Sequence, residues 1–81
     1  MRIKSNYFIE KRNNTYLIQP IKKEVTLNEI GFFLWDKIKE KDLTNSELLN
    51  LLLEKFEIST VLALGEIDTF IKTIKENGIL E

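Results

Sequence analysis

An α+β fold, a three-stranded antiparallel sheet followed by three helices, is what this 81-residue sequence predicts. Two observations carry that expectation. Residues 7–27 alternate apolar and polar side chains in runs rich in aromatic and β-branched residues, the period of half-buried strands. After residue 28 the apolar residues recur every three or four positions to the end of the chain, the period of amphipathic helices. Asn28 stands where the period changes. Asn is a preferred N-cap because its side-chain oxygen accepts a free backbone N–H of the first turn.

The elements follow in order. Residues 7–12 read as the first strand, and Asn13-Asn14 as a tight turn, since Asn tolerates positive φ. Residues 15–19 return as the second strand, which Pro20 ends because it has no N–H to give a ladder. Residues 24–27 form a short third strand, with Val25 and Leu27 on the core face and Glu24 and Thr26 on the other. The first helix is expected over residues 29–39, with Ile30, Leu34 and Ile38 as its stripe and Phe33 and Trp35 widening it. Thr44-Asn45-Ser46-Glu47 is a capping box that opens a second helix over residues 45–56, burying Leu48, Leu49, Leu52 and Phe56. Ser59 or Thr60 caps a third helix over residues 60–77, with Leu64, Ile67, Phe70, Ile71 and Ile74 as its stripe. Asn77-Gly78 supplies a left-handed stop, after which Ile79 and Leu80 fold back on the core.

Composition narrows the class. A chain of this length reads as one domain, residues 1–81, that buries only about 60–65% of its unfolded surface. With 43% hydrophobic and 31% charged residues it is globular rather than disordered. No apolar run approaches the roughly 18–20 residues that span a bilayer, and the N-terminus lacks the apolar core of a signal peptide. A cytoplasmic location and no membrane partner are therefore expected. The net charge of −1 is uneven. Residues 1–27 carry Arg2, Lys4, Lys11, Arg12, Lys22 and Lys23 against Glu10 and Glu24, so the strand half is basic and the helical half acidic.

Catalysis is disfavoured. The chain contains no His and no Cys, which removes the commonest general base, the commonest metal ligand and all thiol chemistry. The neighbouring carboxylates Glu54/Glu57 and Glu66/Asp68 read as solvated helix charges. Gly31, Gly65 and Gly78 form no phosphate-binding loop, and no Asp-x-Asp-x-Asp calcium spacing occurs. No catalytic residue, metal ligand or cofactor is assigned.

Two binding readings remain. Three helices with a short sheet suggest a winged helix-turn-helix, a fold that often reads DNA through a basic recognition helix. Here the second helix sets Glu47, Glu54 and Glu57 against Lys55, and the third sets Glu66, Asp68 and Glu76 against Lys72 and Lys75. Acidic helices forfeit the counterion release that drives binding to a polyphosphate, so a nucleic-acid-binding regulator ranks second. The other reading uses the sheet. The open edge of the third strand at Glu24, Val25 and Thr26 can accept an extended peptide as an added strand. The third helix presents Asp68, Lys72 and Lys75 beside Leu64 and Ile71, a rim for such a groove. By composition alone the same residues read more readily as ordinary surface, with Leu64 and Ile71 as core.

A set of short motifs in a fixed order adds to this reading. They are Val25-Thr26-Leu27-Asn28-Glu29, then Gly31 and Trp35, the Thr44-x-x-Glu47 helix start, and the closing Phe70-Ile71-x-x-Ile74-x-x-x-Gly78-Ile79-Leu80. Over residues 7–80 the chain resembles the PqqD family, the peptide-recognition elements of ribosomally synthesised and post-translationally modified peptide (RiPP) pathways. It departs from the family between the first and second helices, where members usually turn at a Gly and this chain has Glu40-Lys41-Asp42. The resemblance implies a compact winged-helix domain without catalytic activity, of a kind that occurs both fused to maturation enzymes and free-standing; 81 residues read as the free-standing form, and a domain excised from a larger enzyme would read the same. It also implies that the leader segment of a precursor peptide lies between the third strand and the third helix. Members deliver that leader to a maturation enzyme such as a radical S-adenosylmethionine (SAM) enzyme, a cyclodehydratase or a leader peptidase.

Overall fold

The computed structural model describes all 81 residues, Met1–Glu81. Three strands, β1 (Phe8–Arg12), β2 (Thr15–Gln19) and β3 (Thr26–Leu27), precede three helices, α1 (Glu29–Glu40), α2 (Asn45–Lys55) and α3 (Thr60–Glu76). The sheet is antiparallel in the order β1-β2-β3, so β1 and β3 are its edges. Asn13 turns β1 into β2 at φ 59°, the left-handed conformation that Asn adopts at low cost. The α+β architecture expected from the change of period is the one observed.

Each helix begins as its sequence dictates. Asn28 Oδ1 accepts the Gly31 N–H at 2.7 Å, and Ser59 Oγ, rather than Thr60, accepts the Leu62 N–H at 3.2 Å. At α2 the capping box is complete: Thr44 Oγ1 accepts from the Glu47 N–H, and a Glu47 carboxylate oxygen accepts from the Thr44 N–H at 2.9 Å. α3 closes in a Schellman arrangement, with Ile79 N–H donating to Ile74 O at 2.9 Å past Gly78 at φ +67°.

The core is one cluster of 15 buried residues drawn from every element except β1. Ile18, Val25 and Leu27 form the inner face of the sheet; Leu34, Trp35 and Ile38 cover it from α1. Leu48 and Leu52 of α2 and Ala63, Ile67, Phe70 and Ile74 of α3 close the other side. Trp35 is only 3% exposed.

Three differences from the sequence reading have physical causes. β3 is two residues long rather than four, because only the Val25 carbonyl of the approaching segment bonds to β2, and Glu24 belongs to the preceding loop. Leu64 is not core but 50% exposed; Ala63 takes that place, since Ala63, Ile67, Phe70 and Ile74 share one side of the helix and Leu64 sits a quarter-turn round. Finally, Ile3 pairs with Leu80 as an antiparallel bridge, with Lys4 N–H donating to Ile79 O at 2.9 Å. Thus the N-terminal residues, for which the period predicts nothing, clamp the returning C-terminus and bury Ile3.

Two stability predictions follow from this packing. Trp35→Ala empties the centre of the α1–sheet contact and is expected to cost about 3–5 kcal/mol in urea unfolding. The second concerns acid. The Thr44 backbone N–H and hydroxyl hold the Glu47 carboxyl below its ordinary value of 4.5. A depressed folded pKa stabilises the fold above the unfolded value, and that contribution disappears as pH falls through the folded one. Glu47→Gln keeps an acceptor but has no charge to lose. The stability gap between wild type and variant is therefore expected to be widest at neutral pH and to close in acid.

Candidate functional site

β3 offers an unpaired backbone edge at Thr26. In the β2–β3 ladder Tyr16 faces Leu27 and Leu17 faces Thr26, while Ile18 N–H donates to Val25 O at 3.0 Å. Antiparallel bonding alternates, so Val25 and Leu27 turn their backbone groups towards β2 and Thr26 turns its N–H and C=O outwards. The Thr26 side chain is exposed, and Val25 and Leu27 are buried, as the alternation requires. The other edge, β1, is blunted by Lys11 and Arg12, the usual protection of a free strand.

α3 lies across from this edge. Asn28, at the end of β3, donates through Nδ2 to Glu66 Oε2 at 3.3 Å, which ties the strand–helix junction to the helix opposite. Between them is a crevice of about 130 Å³. Its floor is apolar, made by Leu27, Gly31 and Phe70; its rim is polar, made by Asn28, Glu66, Thr69 and Thr73. Thr73 Oγ1 donates to Thr69 O at 2.9 Å, which leaves its oxygen turned to accept. Glu66 is half-buried and forms no ion pair; the molecule's ion pairs are Met1–Asp42 and Arg12–Glu10.

The expected site residues fall on two sides of α3. Of Glu24, Val25 and Thr26 only Thr26 lies on the β3 edge with outward backbone groups; Val25 bonds to β2, and Glu24, in the loop before it, lines a hollow with Arg12, Lys22 and Lys23. Leu64, Asp68 and Ile71 line a different hollow, of about 420 Å³, together with Asn45 at the start of α2. Lys72 and Lys75 are exposed. The residues that α3 does turn towards β3 are Glu66, Thr69, Phe70 and Thr73. On the sequence both flanks border the same buried stripe at equal angles, and only the hand of packing decides which meets the sheet. The one signal available beforehand was polar spacing: Glu66, Thr69 and Thr73 recur at helical intervals beside Phe70.

Chemically, the arrangement can hold a chain by its main-chain groups and admit a side chain between strand and helix. No three His, Cys, Asp or Glu side chains come together as a metal would need, and no buried side-chain polar atom lacks a partner.

The fold and its open edge define a small α+β domain of winged-helix build. The sequence model of the family described as coenzyme PQQ synthesis protein D (PqqD) matches residues 15–80, and the chain belongs to that family. Among solved structures, it is similar to TbiB1 in complex with the TbiA(beta) leader peptide. That match has a TM-score of 0.76 and covers 100% of this chain and 95% of TbiB1. At 12% identity the likeness is one of fold. No curated protein sequence matches.

The Asn28 contacts generate a prediction. Asn28→Ala removes both the N-cap of α1 and the link to Glu66. It is expected to cost about 1–2 kcal/mol in thermal or urea unfolding, the upper part of the range for a lost cap. Ser59→Ala, which removes a cap alone, is expected to cost less.

Proposed function

We propose that this chain is a non-catalytic adaptor. It takes the leader segment of a ribosomally synthesised precursor peptide as an added strand on β3 and presents it to a maturation enzyme. The observation that carries this reading is the outward N–H and C=O of Thr26, on an uncovered edge that faces α3 across an apolar-floored crevice. Strand addition draws affinity from such main-chain groups and selectivity from the side-chain spaces beside them. Membership of the PqqD family supports it, as does a shared fold with TbiB1, which was solved with a leader peptide bound.

In this proposal the paired strand runs along Glu24, Val25 and Thr26, with the Glu66–Thr73 flank of α3 as the facing wall. Leader residues beyond the paired segment cross α3 and meet Leu64, Asp68, Ile71, Lys72 and Lys75. The acidic surplus on α2 and α3 favours a peptide over a nucleic acid. The maturation enzyme is of the radical SAM, cyclodehydratase or leader-peptidase kind. The complex forms in the cytoplasm, where ribosomal peptides are made; none of the helices is long and apolar enough to cross a membrane.

Thr26→Pro tests the proposal with little risk to the fold, because the N–H it removes is not part of the β2–β3 ladder and Pro is tolerated on an outward edge. Calorimetry with the precursor peptide encoded beside the protein's gene is expected to show roughly five- to tenfold weaker binding, the worth of about one hydrogen bond. The wild-type complex is expected to form with a negative heat-capacity change and a shallow salt dependence. Undiminished binding by Thr26→Pro, or steeply salt-dependent binding to duplex DNA with none to the leader, contradicts the proposal.

A further inference from the structure

Glu66 is the only charged side chain on the crevice between the β3–α1 junction and α3, and no cation of the protein answers it. Building on the strand-addition reading above, we infer that this crevice is a specificity pocket for one lysine or arginine side chain of the bound peptide.

Register places a side chain there. A strand that pairs with the outward groups of Thr26 puts the side chain of its own paired residue on the Thr26 face of the sheet. In an antiparallel pairing the residue just before it lies opposite Leu27 and projects to the other face, where Leu27 looks towards Phe70 and α3. The space, about 130 Å³, has room for a single side chain. Leu27 and Phe70 give the floor an apolar surface for an aliphatic stem, and Gly31 adds no side chain to obstruct it.

The head group is chosen by charge. Glu66, half-buried as a residue, accepts from Asn28 through Oε2 and has no counter-ion. An acidic side chain entering the crevice meets a like charge. A purely apolar one strips water from the carboxylate without replacing its hydrogen bonds, which is costly. A cationic head on an aliphatic stem satisfies Glu66 and can also donate to the Thr73 hydroxyl oxygen, while its methylenes cover Leu27 and Phe70.

The test uses random dodecapeptides displayed against the full chain, with Thr26→Pro and Glu66→Gln variants as comparisons. Gln keeps an acceptor for Asn28, and circular dichroism checks that its fold is retained. Wild type is expected to select peptides whose binding is weakened by Thr26→Pro and which carry Lys or Arg at one fixed position. Exchanging that residue for Met is expected to weaken binding to wild type by about ten- to a hundredfold, the worth of a charge-assisted hydrogen bond. The same exchange is expected to leave binding to Glu66→Gln nearly unchanged. Peptides that depend on Thr26 but show no basic position, or whose Met exchange weakens both proteins equally, overturn the pocket and leave strand addition standing. Failure to select any peptide that depends on Thr26 overturns strand addition, and the pocket with it.

Discussion

Asn28 works in two directions at the point where β3 becomes α1. Its Oδ1 accepts the Gly31 N–H at 2.7 Å and its Nδ2 reaches Glu66 on α3 at 3.3 Å. A Cβ built on Gly31 lies 3.2 Å from both Asn28 Oδ1 and Leu27 Cβ, so the first turn of α1 is pressed against the end of the strand. That close approach allows no linker between strand and helix, and it sets the angle at which α1 crosses the sheet. Trp35 and Leu34 then share the core cluster with Ile18 and Leu27, and α3 faces the open edge across the crevice. The crevice and the exposed Thr26 backbone both follow from this one junction.

The consequence is a division of labour within a small domain. The interior is wholly apolar, with no buried polar or charged residue, so the core supplies stability without specificity. Polar groups lie instead on the rim of α3 and along the strand edge, where water satisfies them. A buried ionic network would have been costly to desolvate in a domain of this size. A main-chain edge is inexpensive by comparison, since water satisfies Thr26 while it stands unoccupied.

Much of this was readable from residue types and spacing. The switch of period at Asn28, the capping box at Thr44 and the Asn77-Gly78 stop are local signals with local causes, and the helices begin and end within a residue or so of them. Long-range facts were less accessible. The pairing of Ile3 with Leu80 joins the two ends of the chain and has no signature in either segment. Leu64 sits beside Ala63 in sequence, and nothing but the packed helix shows that the smaller residue faces inward. The site divides in the same way. The β3 edge could be inferred from alternation and strand order, whereas the flank of α3 that faces it depends on the hand of the packing. That is why Glu66, Thr69 and Thr73 emerged only from the fold.

The central claim is that the outward Thr26 backbone is the anchor for an extended peptide, and amide hydrogen exchange at Thr26 and Leu27 addresses it most directly. In the free protein the Leu27 N–H is held by β2 and the Thr26 N–H faces solvent, so Leu27 is expected to exchange slowly and Thr26 fast. Saturation with the precursor leader is expected to slow Thr26 strongly and to change Leu27 little. A leader that binds while Thr26 exchanges as fast as before would contradict the account, because the peptide would then be held somewhere other than the β3 edge.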